Sequence, residues 1–265
     1  EQDKFESFRF TTSDNPFISR MEIDEDVKSM PERMVQQEIY ANFLDDTGIV
    51  FRGFEKIMTA EPKGPMTGHR YVMGVDLAKV QDFTVITVYD SITNSQVYQA
   101  RFNKLDWGMQ KARIGATSKH YNNATVVIDA TGLGDPIVDD LSRLGIPVDP
   151  IKFTNDMKRQ LIEKLSTWIE TERIKMINIP ETVREFENFT YDVSDTGKVR
   201  YEAPLGMHDD IVISHALAIW RLLHKQKQTF EKGKSMIRLS YEKALTKYET
   251  GSEIAFGLDQ WGELN

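Results

Sequence analysis

Residues 124–130 read ATVVIDA, a short apolar run that ends on an acid. Nothing polar alternates through its centre, so it reads as a strand buried on both faces, as in a parallel pairing. Three β-rich runs precede it, RYVMGVDLA, FTVITVYD and SQVYQARFN, separated by short polar loops, which read as an antiparallel meander. Between meander and buried strand, LDWGMQKARIGATSKHY is helical by composition. After TGLGD a helix, PIVDDLSRL, is expected to begin on Pro136 and stop at Gly145. A short strand, PVDPIKF, and a longer helix, NDMKRQLIEKLSTWIETER, follow.

The succession of three antiparallel strands, helix, buried strand, helix, strand and helix resembles a ribonuclease H-like domain, in which the first and fourth strands lie parallel at the centre. The expected fold is therefore α/β: a ribonuclease H-like mixed sheet, antiparallel meander plus parallel strands, flanked by helices. ENFTYDVSDTGKVRYEAP adds two β-prone arms around Asp195-Thr196-Gly197, an inserted β-hairpin. The first fifty residues are acidic and irregular except for PERMVQQEIYANFL, which reads as an amphipathic helix burying Met34, Ile39, Phe43 and Leu44. The linker EPKGPMTGH at 61–69 holds two Pro and two Gly. These features divide the chain into an acidic lead-in at 1–60, a sheet domain at 61–224 and a basic tail at 225–265.

Composition limits the chemistry. In 265 residues there is no cysteine, so any metal must rest on carboxylates, imidazoles and water, which favours a hard cation. No run approaches the roughly 18 apolar residues of a membrane span and no signal peptide opens the chain, which reads as soluble and intracellular. The net charge of −8 argues weakly against general polyanion binding, while local patches remain open. Starting on Glu1 rather than Met, the chain reads as a fragment or a processed form.

Three acids fall at element ends. Asp76 closes the first strand, with Lys79 and Asp82 in the loop behind it, and Asp129 closes the buried strand. Parallel neighbours would bring both carboxylates out at one C-terminal edge, where open α/β sheets place their sites. Such a pair repels, and a divalent cation between them removes the penalty. The stretch GMHDDIVISHAL supplies a third acid. At 100° per residue Asp209 shares a face with Val212, Ala216, Trp220 and Leu223, whereas Asp210 goes with Ile213, Leu217, Arg221 and His224, so Asp209 is expected to point inward. Taken singly, Asp76 reads as a turn residue, Asp129 as an Asx-turn and Asp209 as a helix N-cap. Taken together, they suit two Mg²⁺ or Mn²⁺ ions in an in-line phosphoryl displacement. His215 reads as a satisfied, partly buried side chain, and His208 as a contact to substrate or an orienter of Asp209.

GVDLAKVQDFTVI, VVIDATGLGDPIVDDL and APLGMHDDIVISHALA resemble, in order and spacing, the nuclease domain of the large terminase subunit of tailed bacteriophages, of the ribonuclease H-like, Holliday-junction-resolvase-like superfamily. TTSDNPFI and the helical stretch after it resemble the end of that family's ATPase domain. The resemblance implies a metal-dependent endonuclease cutting concatemeric double-stranded DNA. Its implied metal ligands are Asp76, Asp129 and one of Asp209 and Asp210, with Asp82 as a further acid near the site. The hairpin would lie beside the site and gate DNA access. Candidate DNA contacts are Lys79, Lys158, Lys198, Arg200 and His208. Implied partners are the ATPase domain, the small terminase subunit and the portal, in the host cytoplasm at the procapsid. No G-x-x-x-x-G-K-[ST] loop is present, so this chain is not expected to hydrolyse ATP. The competing readings are an actin-like or sugar-kinase-like ATPase and a non-catalytic docking module.

Overall fold

The computed structural model describes residues 8–42, 48–77, 83–131, 134–193, 199–204 and 206–224. Glu1–Leu222 form one compact unit; of the second, Leu223–Asn265, only 223–224 are described, so the basic tail lies outside the described residues. Among them, no helix is long and apolar enough to cross a membrane.

β1 (Tyr71–Asp76), β2 (Thr84–Asp90) and β3 (Ser95–Phe102) form the antiparallel meander. α3 (Trp107–His120), capped by Asp106, leads to β4 (Thr125–Asp129), which pairs parallel to β1. α4 (Gly134–Arg143) starts two residues earlier than the sequence suggests and is followed by Gly145 at φ 73°, the left-handed position that ends a helix and favours glycine. β5 (Val148–Ile151) closes the sheet in the order β3-β2-β1-β4-β5. Pro150 is tolerated there because β5 is an edge strand. α5 (Asn155–Glu170), capped by Thr154, precedes α6 (Pro180–Asn188). The hairpin arms β6 (Thr190–Val193) and β7 (Val199–Glu202) form a separate two-stranded sheet, and α7 covers 210–224.

The period-2 alternation of β1 assigns each residue to a layer. Tyr71, Met73 and Val75 join Ile86, Val88, Val126 and Ile128 in a core under α3 and α4, through Ile114, Ile137 and Leu141. Val72, Gly74 and Asp76 face the other way, under α7. On that side Thr87 Oγ1 meets Ser214 Oγ at 2.7 Å, and Tyr89 Oη meets His215 Nδ1 at 2.8 Å. The sheet is thus covered on both faces, which is why its central strands read as nearly continuous apolar runs.

The lead-in departs from expectation. Residues 20–29 form a helix, α1 (Arg20–Ser29), opened by a reciprocal capping box between Ser19 and Glu22. The expected amphipathic helix at 31–44 is a single turn, α2 (Glu32–Met34), running into a π turn at Val35–Ile39. The π turn changes the phase, so Val35 and Ile39 are buried with Ile23 while Met34 is half-buried. Phe43 and Leu44 lie outside the described residues.

Candidate active site

The register of β1 and β4 sets Val75 beside Ile128, so the next residues, Asp76 and Asp129, end the two central strands side by side. α7 reaches them because residue 74 is glycine. A Cβ there would sit 1.9 Å from Ser214 O and 2.8 Å from Ala218 N, both backbone atoms, so the helix lies directly on the strand. Ser214 and Ala218 therefore define the sheet-facing stripe, and one turn earlier that stripe holds Asp210.

The expected order of the two acids is reversed. The Asp210 side chain keeps 12% exposure, whereas that of Asp209 keeps 29%. The face carrying Val212 and Ala216 is not the one against β1, and residues 211–219 are buried all round, so apolar phase could not choose between the faces. Asp209 Oδ2 instead accepts from Lys158 Nζ at 2.8 Å, a lysine in the first turn of α5.

Electrostatics bring the four acids into one cluster. Burial pushes the Asp76 carboxyl well above the usual carboxylate range, and the charges of Asp210, Asp209 and Asp129, in that order, push it further; Lys158 opposes them. Asp129 Oδ1 accepts from Thr131 N at 2.8 Å, so the Asx-turn is present as well. His208 Nδ1 stands 3.6 Å from Asp210 Oδ2, and its ring meets Phe83 edge-on at 5.4 Å. The chemistry of this donor set fits a hard divalent cation. As the side chains stand, Asp209 and Asp129 each have an oxygen engaged by a protein donor, and among the described residues no three His, Asp or Glu side chains close around one point to hold an ion.

Of the candidate DNA contacts, Lys158 and Arg200 line one cleft of about 1240 Å³ between α5, α2 and β7. Its walls also carry Arg33, Arg159, Glu38 and Glu163, so its charge is mixed. His208 borders a different cavity. Lys79, Asp82 and Lys198 lie outside the described residues.

Two residues escaped the sequence reading. Glu185, on α6, accepts from Ile211 N at 2.8 Å and so anchors the first turn of α7. Burial raises its carboxyl to about 7, against the lowering effect of that bond and of Arg101, while Asp210 adds to the rise. Arg101 pairs in register with Val85, which pairs with Asp76, so it shares the row of the acids. The missed signal for α6 was Pro180 opening PETVREFEN, a Pro-started helix with acids in its first turns.

Residues 73–221 match the model of the terminase RNase H-like domain. The chain belongs to that family. All four clustered acids fall inside the matched residues, and the membership displaces the actin-like reading. Among curated relatives, the large terminase subunit of Thermus virus P23-45 is 32% identical over 212 residues, covering 76% of this chain and 44% of the relative. The chain therefore spans less than half the length of that terminase. Among solved structures, the large terminase nuclease of thermophilic phage G20c with bound magnesium is 31% identical, with a TM-score of 0.62 over 66% of this chain and 97% of that one. The large terminase of bacteriophage D6E, at 15% identity, shares the fold with a TM-score of 0.63 over 81% of this chain and 55% of that one.

Proposed function

We propose that this terminase domain is a divalent-metal-dependent endonuclease that cuts concatemeric double-stranded viral DNA during genome packaging. The observation that carries the reading is the convergence of Asp76, Asp129 and Asp210 at one sheet edge, with Asp76 held against its neighbours' charge. The relatives support it: one is a terminase nuclease with bound magnesium, and another of the same phage has bound cobalt.

Asp76, Asp129 and Asp210 would hold the ions. Two ions of Mg²⁺ or Mn²⁺ would supply an activated water and neutralise the leaving 3′ oxygen. The chain itself fixes the ligands: β1 and β4 set two carboxylates in register, Gly74 seats α7 on the strand, and Glu185 anchors the helix turn that carries Asp210. Asp209 pairs with Lys158 on the wall of the cleft, and that ammonium would meet a phosphate of the bound strand. Arg200 and His208 are further contacts on either side, and Lys79, Asp82 and Lys198 stay as candidates from the sequence. Base-independent contacts of this kind give low sequence selectivity. The ATPase domain, small subunit and portal would be partners of the whole terminase, at the procapsid in the host cytoplasm.

The chain should nick and linearise plasmid with Mn²⁺ or Mg²⁺ and stop with EDTA. Cleavage by an Asp76→Ala, Asp129→Ala double variant at the wild-type rate would refute the assignment.

A further inference from the structure

The row that carries Asp76 continues through Val85 to Arg101, two strands away and roughly 10 Å off at the usual strand spacing. The Arg101 guanidinium turns to α6, where Nη2 lies 3.6 Å from Glu185 Oε1. Arg101 Nε and Glu185 Oε1 are both closed to solvent, and the Glu185 side chain keeps only 8% exposure. The guanidinium also lies over Phe83, 3.5 Å from the centre of its ring.

Both of these neighbours lead on to Asp210, from opposite sides along the chain. Glu185 Oε2 accepts from Ile211 N at 2.8 Å, which fixes the residue after Asp210. Phe83 meets the His208 ring edge-on at 5.4 Å, and His208 Nδ1 stands 3.6 Å from Asp210 Oδ2. Asp210 repels the Glu185 carboxylate, and the Arg101 charge opposes that repulsion. Removing one partner of a buried ion pair leaves the other charge uncompensated, so without Arg101 the Glu185 carboxylate would move and take the first turn of α7 with it.

We propose that Arg101 is a positioning residue for the metal-binding acids: through Glu185 on one side and Phe83–His208 on the other, it fixes the Asp210 carboxylate without itself touching ion or DNA. Its contribution is therefore to metal affinity and turnover, and not to DNA binding. Groups that orient a metal ligand from behind typically change metal affinity or activity about 10–100-fold when removed. The inference rests on the nuclease reading and refines it by giving a role to a residue outside the acid cluster.

The test is Mn²⁺ calorimetry on the full chain, with DNA cleavage at saturating Mn²⁺ as the second readout. Arg101→Gln should weaken Mn²⁺ binding about tenfold and lower kcat about tenfold, with KM for DNA within about twofold of the parent. Arg101→Lys keeps a charge facing Glu185 and should recover most of both losses. In EDTA, NMR of Arg101→Gln should show the Ile211 amide and His208 ring signals displaced. Phe83→Leu cuts the second route alone; it should also weaken Mn²⁺ binding, and it carries the test if Arg101→Gln does not fold. Lys111→Gln breaks an ion pair to Asp140 on the α3–α4 side of the sheet and should leave Mn²⁺ affinity unchanged, which separates positioning from loss of stability. Parent Mn²⁺ affinity in either folded variant, an equal loss in Lys111→Gln, unmoved Ile211 and His208 signals, or a raised KM as the only change would overturn the proposal. A parent chain that neither binds Mn²⁺ nor cuts DNA would instead refute the nuclease reading and this refinement together.

Discussion

Replacing Gly74 with alanine should pull α7 off the sheet. The added Cβ would lie 1.9 Å from Ser214 O, and ordinary contact begins at 3.4 Å, so α7 must retreat by about 1.5 Å. The obstacle is backbone, so no rotamer change relieves it, and the cost belongs at or above the upper end of the ~1–3 kcal/mol typical of overpacking. The retreat also stretches the buried bonds Thr87–Ser214 and Tyr89–His215, each with a net value of about 1 kcal/mol. A total loss of about 3–6 kcal/mol lowers the melting temperature by roughly 10–20 °C for a unit of this size. A shift of that order between Asp210 and the strand-end acids should also reduce cleavage about 100-fold. Scanning calorimetry, with Mn²⁺-dependent cleavage on the folded fraction, reads both effects. Gly64→Ala is the control: nothing lies within 4 Å of its added Cβ, and it should melt like the parent. A Gly74→Ala chain that melts within 2 °C of the parent would refute the packing on which the site depends.

Asp76→Asn should stabilise the chain in EDTA, by about 0.5–2 kcal/mol, because it removes a half-buried acid crowded by three others, while abolishing cleavage; paired melts and plasmid assays check both. Lys158→Ala should lower the melting temperature in EDTA and enlarge the rise that Mn²⁺ produces, since the protein's own counter-ion for the cluster is gone. His215, fully buried, has its pKa lowered by burial from 6.5 to about 3, so the unfolded chain binds the proton first. Stability is therefore complete above pH 6.5 and falls as pH drops toward 3, by about 4–5 kcal/mol in the limit, and His215→Gln should flatten that slope in pH-dependent denaturation.

The sheet was largely legible because its signal is local. VVI in β4 and the alternation in β1–β3 report burial residue by residue, and acids at strand ends take their place from the strands. α7 was not legible in the same way. Its sheet-facing stripe is built of Ser214 and Ala218, small residues that permit close approach to Gly74, whereas the bulkier apolar residues pack elsewhere. An apolar helical wheel therefore selected Asp209, and only the contact with β1 reveals Asp210. His215 was read as a partly buried, satisfied side chain; it is fully buried between Tyr89 and Gln99. Arg101 sits inside a run that reads simply as strand, and its placement depends on register across two neighbours. The π turn at Val35–Ile39 breaks a pattern that sequence periodicity assumes to continue.

Anomalous diffraction from crystals of the chain soaked in Mn²⁺ tests the central claim most directly. The expected result is manganese density bounded by Asp76, Asp129 and Asp210, with Asp209 still bonded to Lys158. Density elsewhere, or none at these three carboxylates, would contradict it.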